Sequence, residues 1–437
     1  MFLDIQVNGG SGLLFNDIKN LDEFLKIELN QLKYGKTFIV PTFITDSNEK
    51  LKNFVKIVLE RIKLNEKEFI INNSKIILPK LFGVHFEGPF ITNKGTHPLQ
   101  YLKEFNKDNL DEFIEIIKPL SGKLSIYFTF APELLKNTEL LKYLKSEIKN
   151  ITISAGHTKI TENEFKTLQE NLGNDKIKML THFHNAMLEG HFIDDVYGMP
   201  SYVMNNGFDG YFGMVADGYH TSKGELLPML INYYDNLCIV SDGAAPACYQ
   251  FGKNNILFEM GGNLSVVETK KNELPSYFWT DFSKNKDFKE KDLNKVFELY
   301  IKGECGYKTL AGSAINISQS YNFLQHLDIK KELEKTKSNK KAKKLLEYGL
   351  QKHNLKENQI QEFINQHLDK MFFENPIKAL NIDKDIYNYT FKDNKLFKND
   401  KVFIDFDGDF GNFLDQITPN QKELKNKLIN NLKTIIK

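Results

Sequence analysis

Eight short apolar runs, separated by longer amphipathic stretches, constrain this chain more than any other feature. The runs are Phe2–Val7, Thr37–Pro41, Leu81–His85, Ser125–Thr129, Ile151–Ser154, Met179–His182, Tyr211–Val215 and Leu237–Ser241. Helical patterns such as Leu21–Tyr34 and Lys50–Asn65 lie between them. Strand-length runs that are apolar at successive positions suit strands buried on both faces, and their alternation with helices predicts a parallel sheet. Eight of them favour a closed (β/α)8 barrel of the TIM type over an open sheet. Such a barrel gathers the C-terminal ends of its strands into one mouth. The polar residues fall at those ends: Gln6 and Asn8, Thr42, Glu87, Glu133, His157, His182, His220 and Asp242 each close or follow a run.

The length of 437 residues, 41% of them apolar, allows two or three domains, although one barrel can occupy most of it. Lys and Arg together number 58 and Asp and Glu 57, a balance that argues against nucleic acid or a membrane surface as partner. No run approaches the roughly 18 apolar residues of a membrane span. Met1-Phe2-Leu3-Asp4 leads directly into a strand, without the basic and apolar regions of a signal peptide. Cys238, Cys248 and Cys305 have no paired spacing, which fits a reducing cytoplasm and opposes a Cys-rich zinc module.

The expected organisation is a barrel over residues 1–325, a Lys-rich helical insertion over 326–370, and a tail over 371–437. The tail is expected to hold the last barrel helix, a reduced β element around Ile386–Phe406 and a C-terminal helix over Asn420–Lys437. In the insertion, Lys330, Lys331, Lys335, Lys337, Lys340, Lys341, Lys343 and Lys344 are interleaved with Glu332, Glu334 and Glu347. That is the pattern of a solvated helical face; an anionic partner is the other reading.

Seven of the ten histidines fall between residues 85 and 220. A lone histidine is more often structural than a ligand, but His157 and His182 each follow a strand run, so a barrel would point both into its mouth. Glu87, in His85-Phe86-Glu87-Gly88-Pro89, either caps a helix or joins them as a carboxylate. One carboxylate and two imidazoles suit zinc or another divalent first-row ion, with one coordination position open for water. Asp242, after the last run, is either a helix N-cap or the general acid/base beside an activated water. In His182-Phe183-His184 the two imidazoles share a face if the strand continues, whereas His184 is in the loop if it ends at His182. Asn185-Ala186 follows, with amide and backbone groups suited to polar substrate atoms. The chemistry implied is metal-assisted hydrolysis.

Taken together, these motifs resemble the N-acetylglucosamine-6-phosphate deacetylase family of the amidohydrolase superfamily. The matching stretches include Asp4-Ile5-Gln6-Val7-Asn8-Gly9, Glu87-Gly88-Pro89-Phe90, Lys94-Gly95-Thr96-His97, Ala131-Pro132-Glu133, Ala155-Gly156-His157-Thr158, Thr181-His182 with Asn185-Ala186-Met187, Asp217-Gly218-Tyr219-His220, Ser241-Asp242 and Leu310-Ala311-Gly312-Ser313. They run in the family's order over residues 1–382. The resemblance implies a metallo-dependent hydrolase barrel with one divalent ion per subunit, zinc first among Zn, Fe, Co and Mn, held by Glu87, His157 and His182. It implies that Asp242 deprotonates the activated water and then protonates the departing amine, while His97 polarises the acetamide carbonyl. Asn185, Ala186 and His220 would bind sugar and phosphate, and Leu310 and Gly312 would approach the acetyl group. The products would be glucosamine 6-phosphate and acetate, from a cytoplasmic homodimer that binds neither nucleic acid nor membrane.

Two departures qualify the resemblance, and a replacement that part of the family shares bears on the number of metals. Many amidohydrolases carry His-x-His on the first strand for a second metal; here Gln6-Val7-Asn8 offers two amides, poor ligands for zinc, so one metal is expected. Family members typically carry some fifty residues before the first strand that build a small β-sandwich with the chain's end; this chain begins at the strand, so either that domain is reduced to C-terminal strands or the start is truncated, and a stunted C-terminal β element is expected. Residues 188–199 hold no Arg or Lys where a phosphate-binding arginine is usual. His191, His220 or a lysine from elsewhere would have to substitute. A different N-acyl or cyclic amide, a non-phosphorylated amino sugar, or a non-catalytic binding barrel are the alternatives.

Overall fold

The computed structural model describes residues 1–71, 74–193, 196–245, 247, 312–313 and 315–407, together with the backbone of strands Ile256–Met260, Asn263–Glu268 and Ser276–Thr280. Eight parallel strands form one barrel in chain order: β1 Phe2–Val7, β2 Thr37–Ile44, β3 Gly83–Glu87, β4 Ser125–Phe130, β5 Ile151–Ala155, β6 Met179–Leu180, β7 Tyr211–Val215 and β8 Leu237–Val240. The expected (β/α)8 architecture is the one observed, and each strand lies where an apolar run predicts it. Two ends differ. β2 continues past Pro41 to Ile44, and β6 stops at Leu180, so Thr181 and His182 lie beyond it.

Pro41 does not end its strand because its missing N–H falls at an irregularity. The β1–β2 register shifts between Asp4 and Val7, and the Val7 N–H donates to Thr42 Oγ1 at 3.0 Å in place of a ladder bond. The barrel closes differently from its other seams. β8 and β1 are joined through a bridge between Val7 and Gly243, by Asn8 N–H donating to the Gly243 carbonyl at 2.7 Å, and by the Ser241 N–H donating to the Asp4 carboxylate at 3.2 Å.

Helices cover the outside, several of them started by sequence-local caps. Asn20 and Ser47 accept from backbone N–H groups at the starts of Leu21–Gly35 and Asn48–Lys63, and Thr161 with Glu164 forms a capping box on Glu162–Leu172. The first two helices are joined by a buried ion pair. Arg61 donates to both Glu28 oxygens, at 2.6 and 2.8 Å, and to the Pro79 carbonyl at 2.6 Å.

Three helices, Ile329–Ser338, Lys340–Lys352 and Ile360–Asp369, occupy the Lys-rich stretch. Ala342, Leu345 and Leu346 form the buried side of the middle helix, which packs on Leu226–Tyr233, while Lys335, Lys337 and Lys343 pair with Glu332, Glu357 and Glu347. A three-stranded antiparallel sheet, Tyr389–Lys392, Lys395–Lys398 and Lys401–Asp405, follows. Its Tyr389 is buried against Phe38 and Phe82, at the end of the barrel opposite the catalytic mouth expected from the sequence. The stretch expected as a C-terminal helix, Asn420–Lys437, is outside the described residues, as are Asp194, Asp195, Cys248, Cys305 and Leu310. Among the described residues no helix is long and apolar enough to cross a membrane.

Candidate active site

Beneath the mouth the barrel interior is polar. Thr181 Oγ1 lies within 2.6–2.7 Å of the hydroxyls of Tyr127, Thr129 and Ser154. His85 sits between Thr42 and Thr129 hydroxyls at 3.2 and 2.8 Å and stacks on Tyr127 at 3.9 Å between centroids. Burial pushes its pKa down to about 3, so it is a neutral, hydrogen-bonded part of this floor.

Above the floor, Glu87 at the end of β3 meets two imidazoles. Glu87 Oε1 is 2.8 Å from His182 Nε2 and 3.1 Å from His157 Nε2, and the two Nε2 atoms are 3.0 Å apart. All three residues are buried. Burial alone would raise the Glu87 carboxyl; the imidazoles outweigh it and hold the group well below its ordinary value. Against the lowering effect of burial, Glu87 holds His182 above its own. Glu87 caps no helix.

The donor set fits a cation. His157 Nδ1 lies 2.7 Å from the Asn93 carbonyl, which only accepts, so the proton is on Nδ1 and Nε2 presents a lone pair. That lone pair faces another ring nitrogen and a carboxylate oxygen, an arrangement that needs positive charge in its midst. Zinc bonds of about 2.0–2.2 Å to N and O put ligands on one face of an ion roughly 3 Å apart. A carbonyl orienting the far side of a ligand imidazole is the usual support for such a site.

Backbone strain accompanies these positions. His157, His182 and Asp242 have φ of +49°, +28° and +50°, left-handed values that non-glycine residues rarely adopt. The loop after β3 fits closely over them. A Cβ on Gly95, itself at φ +50°, would lie 2.9 Å from His157 Cε1. Gly88 turns at φ +84°, where a Cβ would meet Thr45 Oγ1 at 2.1 Å.

His97 comes from the same loop. Glu87, His97 and His157 each offer a ligand atom within 4.8 Å of the others. His97 Nδ1, however, accepts from the Thr45 N–H at 3.3 Å, beside Thr45 Oγ1 at 2.9 Å, which leaves its proton on Nε2. Burial, then the neighbouring His157, lowers its pKa well below the ordinary value. It is therefore a neutral N–H donor rather than a metal ligand.

Asp242 follows β8 with its carboxylate held from β1. Asn8 Nδ2 and Gln6 Nε2 donate to the same oxygen, Oδ1, at 2.7 and 3.2 Å. Burial, reinforced by Glu87, raises the Asp242 pKa to about 6. His220 is fixed by Asp217, whose Oδ2 is 2.7 Å from Nδ1; against burial, this carboxylate holds the imidazole above its ordinary pKa. His191 Nδ1 is 2.6 Å from Glu225 Oε1.

One cavity of about 320 Å³ brings these together, lined by Asn8, Ile44, Glu87, Asn93, Gly95, Thr96, His97, His157, His182, Asn185, Ala186, His191, His220, Asp242 and Gly312. The expected metal, acid/base and substrate residues are here except Gln6, which reaches Asp242 from the strand below, and Leu310, outside the described residues; Thr42 and Glu133 do not line it. His184 is not: it lies in the loop beyond β6, buried against Phe183 and Phe192, with both ring nitrogens lacking partners among the described residues. The sequence reading missed the orienting groups Thr45 and Asn93, and passed over Asp217 inside its own motif.

No protein-family model matches the chain. It is 28% identical over 249 residues to the N-acetylglucosamine-6-phosphate deacetylase of Haemophilus influenzae, covering 56% of this chain and 58% of the relative. It is 30% identical over 258 residues to the Caenorhabditis elegans enzyme of the same name, covering 56% of each. The matches thus span less than two thirds of these curated relatives. The crystal structure of N-acetylglucosamine-6-phosphate deacetylase from Pasteurella multocida superposes with a TM-score of 0.56 at 21% identity, over 87% of this chain and 76% of that one, so the chain has the barrel fold of that enzyme.

Proposed function

We propose that this protein is a metal-dependent amide hydrolase that removes the acetyl group of N-acetylglucosamine 6-phosphate, giving glucosamine 6-phosphate and acetate. The observation that carries the reading is the convergence of Glu87, His157 and His182 within about 3 Å of one another, beside a carboxylate and a neutral imidazole donor in one cavity. The names of the relatives supply the substrate. A divalent cation held by Glu87, His157 and His182 would supply Lewis-acid activation of water and carbonyl. A Glu-His-His set accepts Zn, Fe, Co or Mn, with zinc the first choice.

The chain's own groups do the rest. Asp242, with a pKa near 6, takes a proton from the attacking water at neutral pH and gives it to the leaving nitrogen. His97 Nε2–H donates to the oxygen on which negative charge develops. Asn185 and Ala186 hold the sugar, and the imidazoles of His191 and His220 face the anionic end. A cytoplasmic homodimer belongs to the same reading.

A specific observation favours a second reading. Among the described residues no Lys or Arg lines the cavity, so a non-phosphorylated amino sugar or another N-acyl amide is the alternative. Acetate release from N-acetylglucosamine with and without its 6-phosphate, on metal-loaded protein, decides between them. A kcat/KM at least tenfold higher with the phosphate supports the first; equal rates overturn it.

A further inference from the structure

We propose that Gln6 and Asn8 are positioning residues that grip one oxygen of Asp242 and reserve the other for proton transfer. The inference rests on the reading of Asp242 as the acid/base group. Gln6 lies on β1 and Asn8 one residue past its end, two positions apart, and both side chains reach Asp242. Both amide nitrogens converge on Oδ1, at 2.7 Å from Asn8 and 3.2 Å from Gln6. The amide orientation follows from the contacts, because the flipped amides would set oxygen against carboxylate oxygen.

A carboxylate oxygen has about two lone-pair directions, so these donors fill Oδ1. No hydrogen bond to Oδ2 is present among the described residues. The carboxylate torsion of an aspartate is broad and nearly two-fold, so without a grip the two oxygens would exchange places. The backbone is also tied here: Asn8 N–H donates to the Gly243 carbonyl at 2.7 Å, one residue beyond Asp242, whose φ of +50° turns its side chain toward β1.

The arrangement is made at the expense of stability. Gln6 and Asn8 are 1% and 2% exposed, and their carbonyl oxygens, Oε1 and Oδ1, have no partner among the described residues. Buried carbonyls without donors are unfavourable. Apolar residues would suit this place better if the fold alone were at stake. What the amides provide is two directed N–H groups on a single oxygen, the Gln6 amide lying closer to Asp242 Oδ1, at 3.2 Å, than to Glu87 Oε1, at 3.5 Å.

The test compares Asn8→Leu, Gln6→Leu and the double variant with the unaltered chain. The readouts are acetate release, metal content and the crystallographic orientation of Asp242. Loss of a hydrogen bond to a charged group predicts about a tenfold lower kcat for Asn8→Leu and a smaller loss for the longer Gln6 bond. KM stays within twofold and metal content is unchanged. The double variant loses more than the product of the singles, and its Asp242 carboxylate occupies more than one orientation. A double variant whose Asp242 keeps its single orientation overturns the proposal, as does a kcat that falls only in proportion to lost metal. If the unaltered chain releases acetate from no amino sugar, the functional reading has failed, and the Asp242 orientation still decides this one.

Discussion

Asp4 offers a stability test with a defined sign. It is 1% exposed, and its carboxylate accepts from the Gln6 and Ser241 N–H groups at 3.2 Å and from the Ser241 side chain. Burial dominates and raises its pKa to about 7, with the Asp242 charge a small further push. An unfolded aspartate titrates near 3.9. The fold therefore favours the protonated form. Its contribution is complete below about pH 4 and is lost as the pH rises to about 7. At about 1.36 kcal/mol per pH unit, the loss between pH 4.5 and 7 is roughly 3 kcal/mol. An unfolding entropy of about 2.1 cal/mol/K per residue makes that about 3–4 °C in Tm for a chain of 437 residues. Asp4→Asn removes the titration while keeping the shape. The measurement is the Tm of variant minus that of the unaltered chain from pH 4.5 to 7.5, a difference in which other groups cancel. It should move in the variant's favour by that amount as the pH rises. A difference that is flat, or that moves the other way, would refute a neutral Asp4.

Asp242→Asn should lower kcat by about 10³-fold, within the range for a positioned acid/base, while metal analysis finds the ion still bound. Chelation should abolish acetate release in the unaltered chain and lower its Tm, because a ligand held by the folded state stabilises it. His97→Ala should cost about 10²–10³ in kcat through loss of the donor to the developing oxyanion, with the melting curve little changed. Glu28→Ala strands the fully buried Arg61 and should destabilise by about 3–5 kcal/mol in a denaturant titration.

The barrel was legible because its strands are buried on both faces, so each reads as an apolar run at consecutive positions. The candidate site was legible where polar side chains sit at the ends of those runs, as with Glu87, His157, His182 and Asp242, which converge on one cavity. What escaped is instructive. Pro41 reads as a strand breaker, yet its missing donor falls where Thr42 Oγ1 takes over the Val7 N–H. The strand therefore runs on to Ile44, and Thr45 just beyond it holds His97. Asn93 acts through its backbone carbonyl, which leaves no trace in residue type. Asp217 could have been found, since an aspartate three residues before a histidine across a glycine can turn back onto it. The Lys341 and Glu189 pair, 2.6 Å apart, links the helix Lys340–Lys352 to the loop after β6 over a separation that no local pattern spans.

The seam between β8 and β1 explains why structure and chemistry share residues here. Elsewhere in the barrel, parallel ladders join neighbouring strands, with one register shift between β1 and β2. At this seam, one bridge, two backbone bonds to one carbonyl and a side chain join them: Val7 to Gly243, the Asn8 and Gly9 N–H groups to the Gly243 carbonyl, and the Ser241 N–H to the Asp4 carboxylate. A regular ladder would hold residue 242 in extended backbone with its side chain fixed by the pleat. Breaking the ladder at Ser241 lets Asp242 take a left-handed φ, which no continuous strand permits. The strain is tolerated because Asn8 holds both the Gly243 backbone and the Asp242 carboxylate. The same residues thus close the barrel and aim its carboxylate, so substitutions that restore regular pairing at the seam should stabilise the fold while weakening the hydrolysis proposed for it.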